Sequence, residues 1–178
     1  MMSALQRFDV YAQLGFEPRR DLVNGTAPGN SWHTGDDSLR GSGKPYFVAN
    51  GYGPKYLSSK YGYQVIQPLV TKQSQDADYT LSTISLSRQT KKNAPTYVLS
   101  GAAAFEVVEG VLMIQIGDYP VATLYTGDVA FVPVGVAFTY YSEVAFTKVL
   151  YVSSGSDGVD SQLIRGGKRW KFATFPKY

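Results

Sequence analysis

Few side chains in this chain could carry chemistry, and their scarcity narrows the field at once. There is no cysteine, so no thiol nucleophile, thiolate metal site or disulfide framework can form, and there is one histidine, His33. A single imidazole cannot furnish the three that hold a divalent iron, copper or manganese with a position left open for substrate. His33 sits in Trp32-His33-Thr34-Gly35, where a turn residue and a base are both open readings. Tyr140, in the apolar run Phe138-Thr139-Tyr140-Tyr141, carries a phenol able to donate a proton to an oxygen substituent or to satisfy a buried acceptor. Gln64 and Gln67 fall on opposite faces of one strand, so only one of them can reach an interior. Lys148 is either a snorkelling surface amine or a desolvated base. Glu106 alternates away from Phe105 and Val107, which turns it outward. The remaining acids lie mostly in turns, without the pairing that glycoside hydrolysis or a calcium loop needs.

The elements that must position these residues are short strands. Seven apolar runs fill the stretch from Pro95 to Ser153: Tyr97–Leu99, Phe105–Val108, Val111–Ile116, Val121–Tyr125, Val129–Val132, Phe138–Tyr141 and Phe146–Val152. Gly101, Glu109-Gly110, Gly117 to Pro120, Thr126 to Asp128 and Pro133 to Gly135 punctuate them. Such close spacing predicts a sandwich or barrel, with a jelly roll as the natural closure. Two further strands are expected upstream, Tyr63–Thr71 and Tyr79–Ser87, with Pro68 marking an edge or a bulge. Tyr46–Ala49 is another candidate, Lys55–Tyr61 reads as a short helical turn or loop, and Gln162–Phe175 as a short strand with an aromatic tail. Residues 1–44 are rich in Gly, Asp, Ser, Asn and Arg and read as an arm packed on the barrel or on a partner, with residues 45–178 forming the barrel.

Composition agrees. A chain of 178 residues with 14 tyrosines, 9 phenylalanines, 18 glycines and 9 prolines suits one all-β domain. A net charge of +3, with the basic residues scattered, argues against a nucleic-acid surface. Neither a secretory leader nor a run long enough to span a membrane is legible, which predicts a cytoplasmic protein without a membrane partner. In that setting the Asn24-Gly25-Thr26 sequon is a chance match.

From Gly127 to Ser142 the spacing Gly, five residues, Pro-x-Gly, two residues, Phe138, three residues, Ser142 resembles the second signature of the cupin superfamily, in which histidine and asparagine occupy the last two places. Aligning Gly110 with the end of the first signature, as a hairpin glycine, puts Ala103 where that family has glutamate, and Thr96 and Val98 where it has two histidines. All four ligand positions would then be non-ligands, which implies no metal and no other cofactor. Further stretches are similar to the carboxy-terminal half of fungal quercetin 2,3-dioxygenases: Glu17 to Asp21, Trp32 to Gly35, Gly53 to Leu57, Gly62 to Pro68, Ile116 to Tyr119 and Ser153 to Gly158. In that family the amino-terminal cupin holds the metal and opens the flavonol ring, and the carboxy-terminal cupin is metal-free.

The resemblance implies that Thr96, Val98, Ala103 and Phe138 point into the barrel, with Phe105, Val107, Tyr140 and Ser142 brought in beside them by alternation. Two outcomes are open: aromatic rings fill the former metal site, or an apolar slot there admits a flat apolar or aromatic molecule. The second suits a metal-independent isomerase, cyclase or dehydratase acting in secondary metabolism on an aromatic or polyketide-like compound, with Tyr140 as proton donor and Gln64 as a substrate contact. The first suits a non-catalytic structural or ligand-binding cupin. A chain carrying only this half would leave an apolar face uncovered, so a homodimer is expected.

Overall fold

The computed structural model describes residues 54–70, 78–155, 157–172 and 175–176. The arm over residues 1–44, His33 and the strand expected at Tyr46–Ala49 lie outside the described residues.

Two antiparallel sheets face each other. The larger has the order β11-β1-β2-β3-β10-β5-β8, built from β1 (Tyr56–Ser58), β2 (Gln64–Val70), β3 (Thr80–Ser87), β5 (Ala103–Glu109), β8 (Val129–Val132), β10 (Phe146–Ser153) and β11 (Lys168–Arg169). The smaller has the order β4-β9-β6-β7, from β4 (Thr96–Tyr97), β6 (Val111–Ile116), β7 (Ala122–Tyr125) and β9 (Phe138–Tyr141). Closed on each other they form the expected jelly-roll barrel, and the core fills the space between.

Alternation assigns the faces. On β10 every second residue, Thr147, Val149, Tyr151 and Ser153, is buried, and Phe146, Lys148, Leu150 and Val152 lie between them, half-buried on the outside. Pro68 sits at a register shift between β2 and β3, so the bulge reading holds: a bulge tolerates the missing N–H. Gly127 and Gly135 both take positive φ at the turns where the sequence requires it.

Three expectations change. Lys55–Tyr61 is neither helix nor loop but holds β1, whose Leu57 pairs with Val65 and is buried. Gly110, at φ 87°, does not close a hairpin, because β5 and β6 belong to different sheets and the glycine carries the chain from one to the other. The third is a helix, α1 (Val159–Arg165), whose last four residues fall in the Gln162–Phe175 stretch expected to hold a short strand. It buries Val159, Asp160 and Leu163 over one end of the barrel. The Ser82 hydroxyl donates to Asp160 Oδ2 at 2.7 Å, and the Val159 N–H donates to the Tyr151 hydroxyl at 3.0 Å, so two inward-facing strand residues hold the helix there. Arg165 pairs with Asp157 on the exposed side, a contact of small energetic weight.

Candidate functional site

The interior between the sheets is aromatic. Phe105 on β5 is central, its ring centroid 4.9 Å from Tyr151, 5.3 Å from Tyr140 and 5.8 Å from Phe138. Tyr97 on β4 stacks on Phe138 at 5.6 Å and on Tyr140 at 5.7 Å. These separations and tilts are those of interlocked aromatic pairs, each worth about 0.5–1.5 kcal/mol beyond the area it hides. Ala103 is buried in the same cluster.

Of the positions expected to line this interior, Ala103, Phe105, Val107, Phe138 and Tyr140 do so. Thr96 and Val98 do not. Thr96 is exposed, with its hydroxyl 3.1 Å from that of Thr139, and Val98 is 59% exposed; Tyr97 and Leu99 take the inward places. The count back from Gly110 assumed four residues between the strand's last inward residue and Ala103. Three separate Leu99 from Ala103, and in a structure of period two a slip of one residue reverses every face.

Ser142 is buried but faces no open space. Thr147 gives its proton to the Val111 carbonyl at 2.9 Å, so the Ser142 hydroxyl donates to Thr147 Oγ1 at 2.8 Å and accepts from the Val144 N–H at 3.3 Å. It ties the β9–β10 turn to the start of β6. Gln64 reaches the interior, and Gln67 lies on the other face of β2, as their spacing requires; both are buried. Glu106 is exposed and Lys148 half-buried, both on the outer face of the large sheet.

The polar content of the interior is small. Tyr140 donates to Gln64 Oε1 at 2.8 Å. The Tyr97 hydroxyl, on a ring stacked against Tyr140, is buried without a hydrogen-bond partner. Burial pushes the Tyr97 phenol up to about 12 and Tyr151 likewise to about 12, and it holds Tyr140 well above the usual phenol range. All three are therefore neutral donors over the physiological range. The unfolded chain loses these protons near 10, whereas folded Tyr97 and Tyr151 lose theirs near 12, so their contribution is complete below pH 10 and declines as the pH climbs towards 12. Alkaline titration followed by tyrosinate absorbance should show at least three phenols ionising late and together with loss of structure. Smooth ionisation near pH 10 with the fold intact would contradict this burial.

A divalent metal does not fit this interior. Of Tyr97, Leu99, Ala103 and Phe138, only Tyr97 carries a heteroatom, and one phenol is too few donors to hold a divalent ion. Among the described residues no group of three or more His, Cys, Asp or Glu is placed to hold an ion. No helix among them is long and apolar enough to cross a membrane.

No family model matches the chain. Quercetin 2,3-dioxygenase of Aspergillus japonicus is 57% identical over 179 residues, an alignment covering 98% of this chain and 51% of that protein. The chain thus spans about half the length of this curated relative. Among solved structures, the FeII form of HppE superposes with a TM-score of 0.53 at 18% identity, over 85% of this chain and 76% of that one. A cupin-like protein from Thermotoga maritima superposes with a TM-score of 0.47 at 15% identity, over 62% and 90% of the two chains. In fold this is a jelly-roll barrel, and in sequence it is similar to quercetin 2,3-dioxygenase along about half of that protein.

Proposed function

We propose that this chain is a non-catalytic cupin module, a barrel that contributes packing and docking surface rather than turnover. The observation behind this reading is the interlocked set of Tyr97, Phe105, Phe138, Tyr140 and Tyr151, with ring centroids 4.9–5.8 Å apart where a reacting molecule would have to sit. A filled barrel binds its own side chains; a substrate would have to displace them at the cost of the contacts they make. The oxygenase activity in the relative's name belongs to a protein twice as long, and the metal-gripping side chains such chemistry calls for are replaced here by carbon and one protonated phenol.

A second reading draws support from one atom. The buried Tyr97 hydroxyl makes no well-formed hydrogen bond and lies on a ring stacked on Tyr140, so a small aromatic molecule offering an acceptor could engage Tyr97, and would engage Tyr140 only by displacing Gln64. This is the metal-independent route: an isomerase, cyclase or dehydratase step on an aromatic or polyketide-like compound, with Tyr140 as proton donor. The test is incubation of the chelator-treated chain with quercetin and with simple aromatic ketones. No product and no change in the near-ultraviolet signal are expected. Turnover abolished by Tyr140→Phe with the fold retained would overturn the module reading and establish the second.

A further inference from the structure

One end of the barrel is lined by oxygen atoms where the middle is lined by rings. The inward residues there are Thr80 and Ser82 on β3, and Tyr151 and Ser153 on β10. Strand register sets Thr80 opposite Ser153 and Ser82 opposite Tyr151, so two cross-strand pairs place four hydroxyls on one patch of the inner face. Partners directly opposite have Cβ atoms about 4.5–5.5 Å apart, close enough for their oxygens to share a small guest. Helix α1 lays Asp160 over this patch, where its Oδ2 takes the Ser82 proton at 2.7 Å. A methyl on Gly158 would lie 2.6 Å from Asp160 Oδ1, 3.0 Å from the Tyr151 hydroxyl and 3.2 Å from Ser153 Cβ, so carboxylate, phenol and serine converge beside that glycine.

Two groups in the cluster are incomplete. Asp160 is 3% exposed, yet no lysine or arginine among the described residues lies within ion-pair reach of it. Its hydrogen bonds come from two neutral donors, the Ser82 hydroxyl and the Ser161 N–H at 2.8 Å. Those replace only part of the water that a buried carboxylate gives up, and buried charges are ordinarily paired or bound to a metal ion. Thr80 is 6% exposed, and its buried hydroxyl has no partner. In a folded interior such a group calls for an occupant.

The spare capacity here is for accepting positive charge. Ser153 Oγ takes one N–H, from Gly155 at 3.3 Å, and the Tyr151 oxygen takes one, from Val159 at 3.0 Å, which leaves each a lone pair. Oxygen lone pairs beside a carboxylate are the ligand set of a hard cation. One carboxylate balances one positive charge; a divalent ion would leave a net charge buried. We propose that Asp160, Thr80, Ser82, Tyr151 and Ser153 form a binding site for a monovalent alkali cation, sodium or potassium. The ion ties α1 to β3 and β10, and it does so whether or not the barrel turns over a substrate.

Thermal melts of the full chain in sodium, potassium and choline chloride at equal ionic strength test this, because choline screens surface charge but is too large to enter. The parent should melt about 2–4 °C higher in sodium or potassium than in choline, the shift for an ion at about five times its dissociation constant. Thr80→Val should melt in choline at or above the parent, since only an unpartnered hydroxyl is lost, and should lose more than half of the alkali shift. Asp160→Asn keeps the shape, removes the charge and should lose the shift as well. Equal midpoints for the parent in all three salts would overturn the proposal, as would an alkali shift of which Thr80→Val keeps half or more.

Discussion

Replacing Phe105 with alanine should lower the free energy of unfolding by about 3–5 kcal/mol, the range for deleting a fully buried aromatic side chain. Its ring touches Phe138, Tyr140 and Tyr151, so three neighbours lose a packing face together, and strands on both sides of the barrel limit how far they can close the gap. Denaturant melts of parent and variant measure the loss directly. The same variant probes the filled-barrel reading. A dry aromatic-lined hole is a receptor for benzene or indole, and either should raise the variant's melting temperature but not the parent's. A cost under about 1 kcal/mol would mean that the ring is not the keystone described here.

The other large effect lies where two loops cross. A methyl on Gly101 would sit 2.1 Å from the Gly155 nitrogen and 2.4 Å from its Cα, and these are backbone atoms with no rotamer through which to retreat. The crossing is fastened beside it by one doubly bonded pair, the Ala102 N–H donating to Ser154 Oγ at 3.0 Å and the Ser154 N–H donating to the Ala102 carbonyl at 3.0 Å. Gly101→Ala must therefore spread β4 and β5 away from the end of β10. It should cost about 3 kcal/mol, the upper end for an overpacked site. Urea titration would show the loss as a lower midpoint at unchanged slope. A variant within about 0.5 kcal/mol of the parent would contradict the close approach.

Much of the barrel was legible because its punctuation is chemical. β6, β8 and β9 match their apolar runs residue for residue, since glycine turns and Pro133 leave the chain few other places to bend. Pro68 announced its bulge for the same reason. The inward phase of β5 and β9 was also readable from alternation, which gave Ala103, Phe105, Val107, Phe138 and Tyr140 correctly. Around Thr96 to Leu99 the residues are apolar or small on both faces, so alternation there carries no phase, and a count through the loop had to stand in for it. Three residues rather than four separate the inward Leu99 from Ala103, and that difference of one inverted the result. β1 escaped notice because three residues among lysines, serines and tyrosines show no period, and its burial comes from pairing with β2. α1 did leave signs: Asp160 in the first turn, Val159 and Leu163 four apart, Arg165 in the last turn and Gly166 after it. They were outweighed by the Gly and Ser residues just upstream, and a helix of 7 residues is too short to show a sustained stripe.

That helix sets the terms on which the barrel meets its surroundings. Gly158 offers α1 no side-chain cap, and a peptide of 7 residues would not stay helical in water by itself, so its order is borrowed from Ser82, Tyr151 and the burial of Leu163. Such a segment can lift while the strands beneath it stay zipped. At this end the Tyr151 hydroxyl is sheltered by one short helix, so its cover is only as durable as the contacts that Ser82, Tyr151 and Leu163 make with that helix.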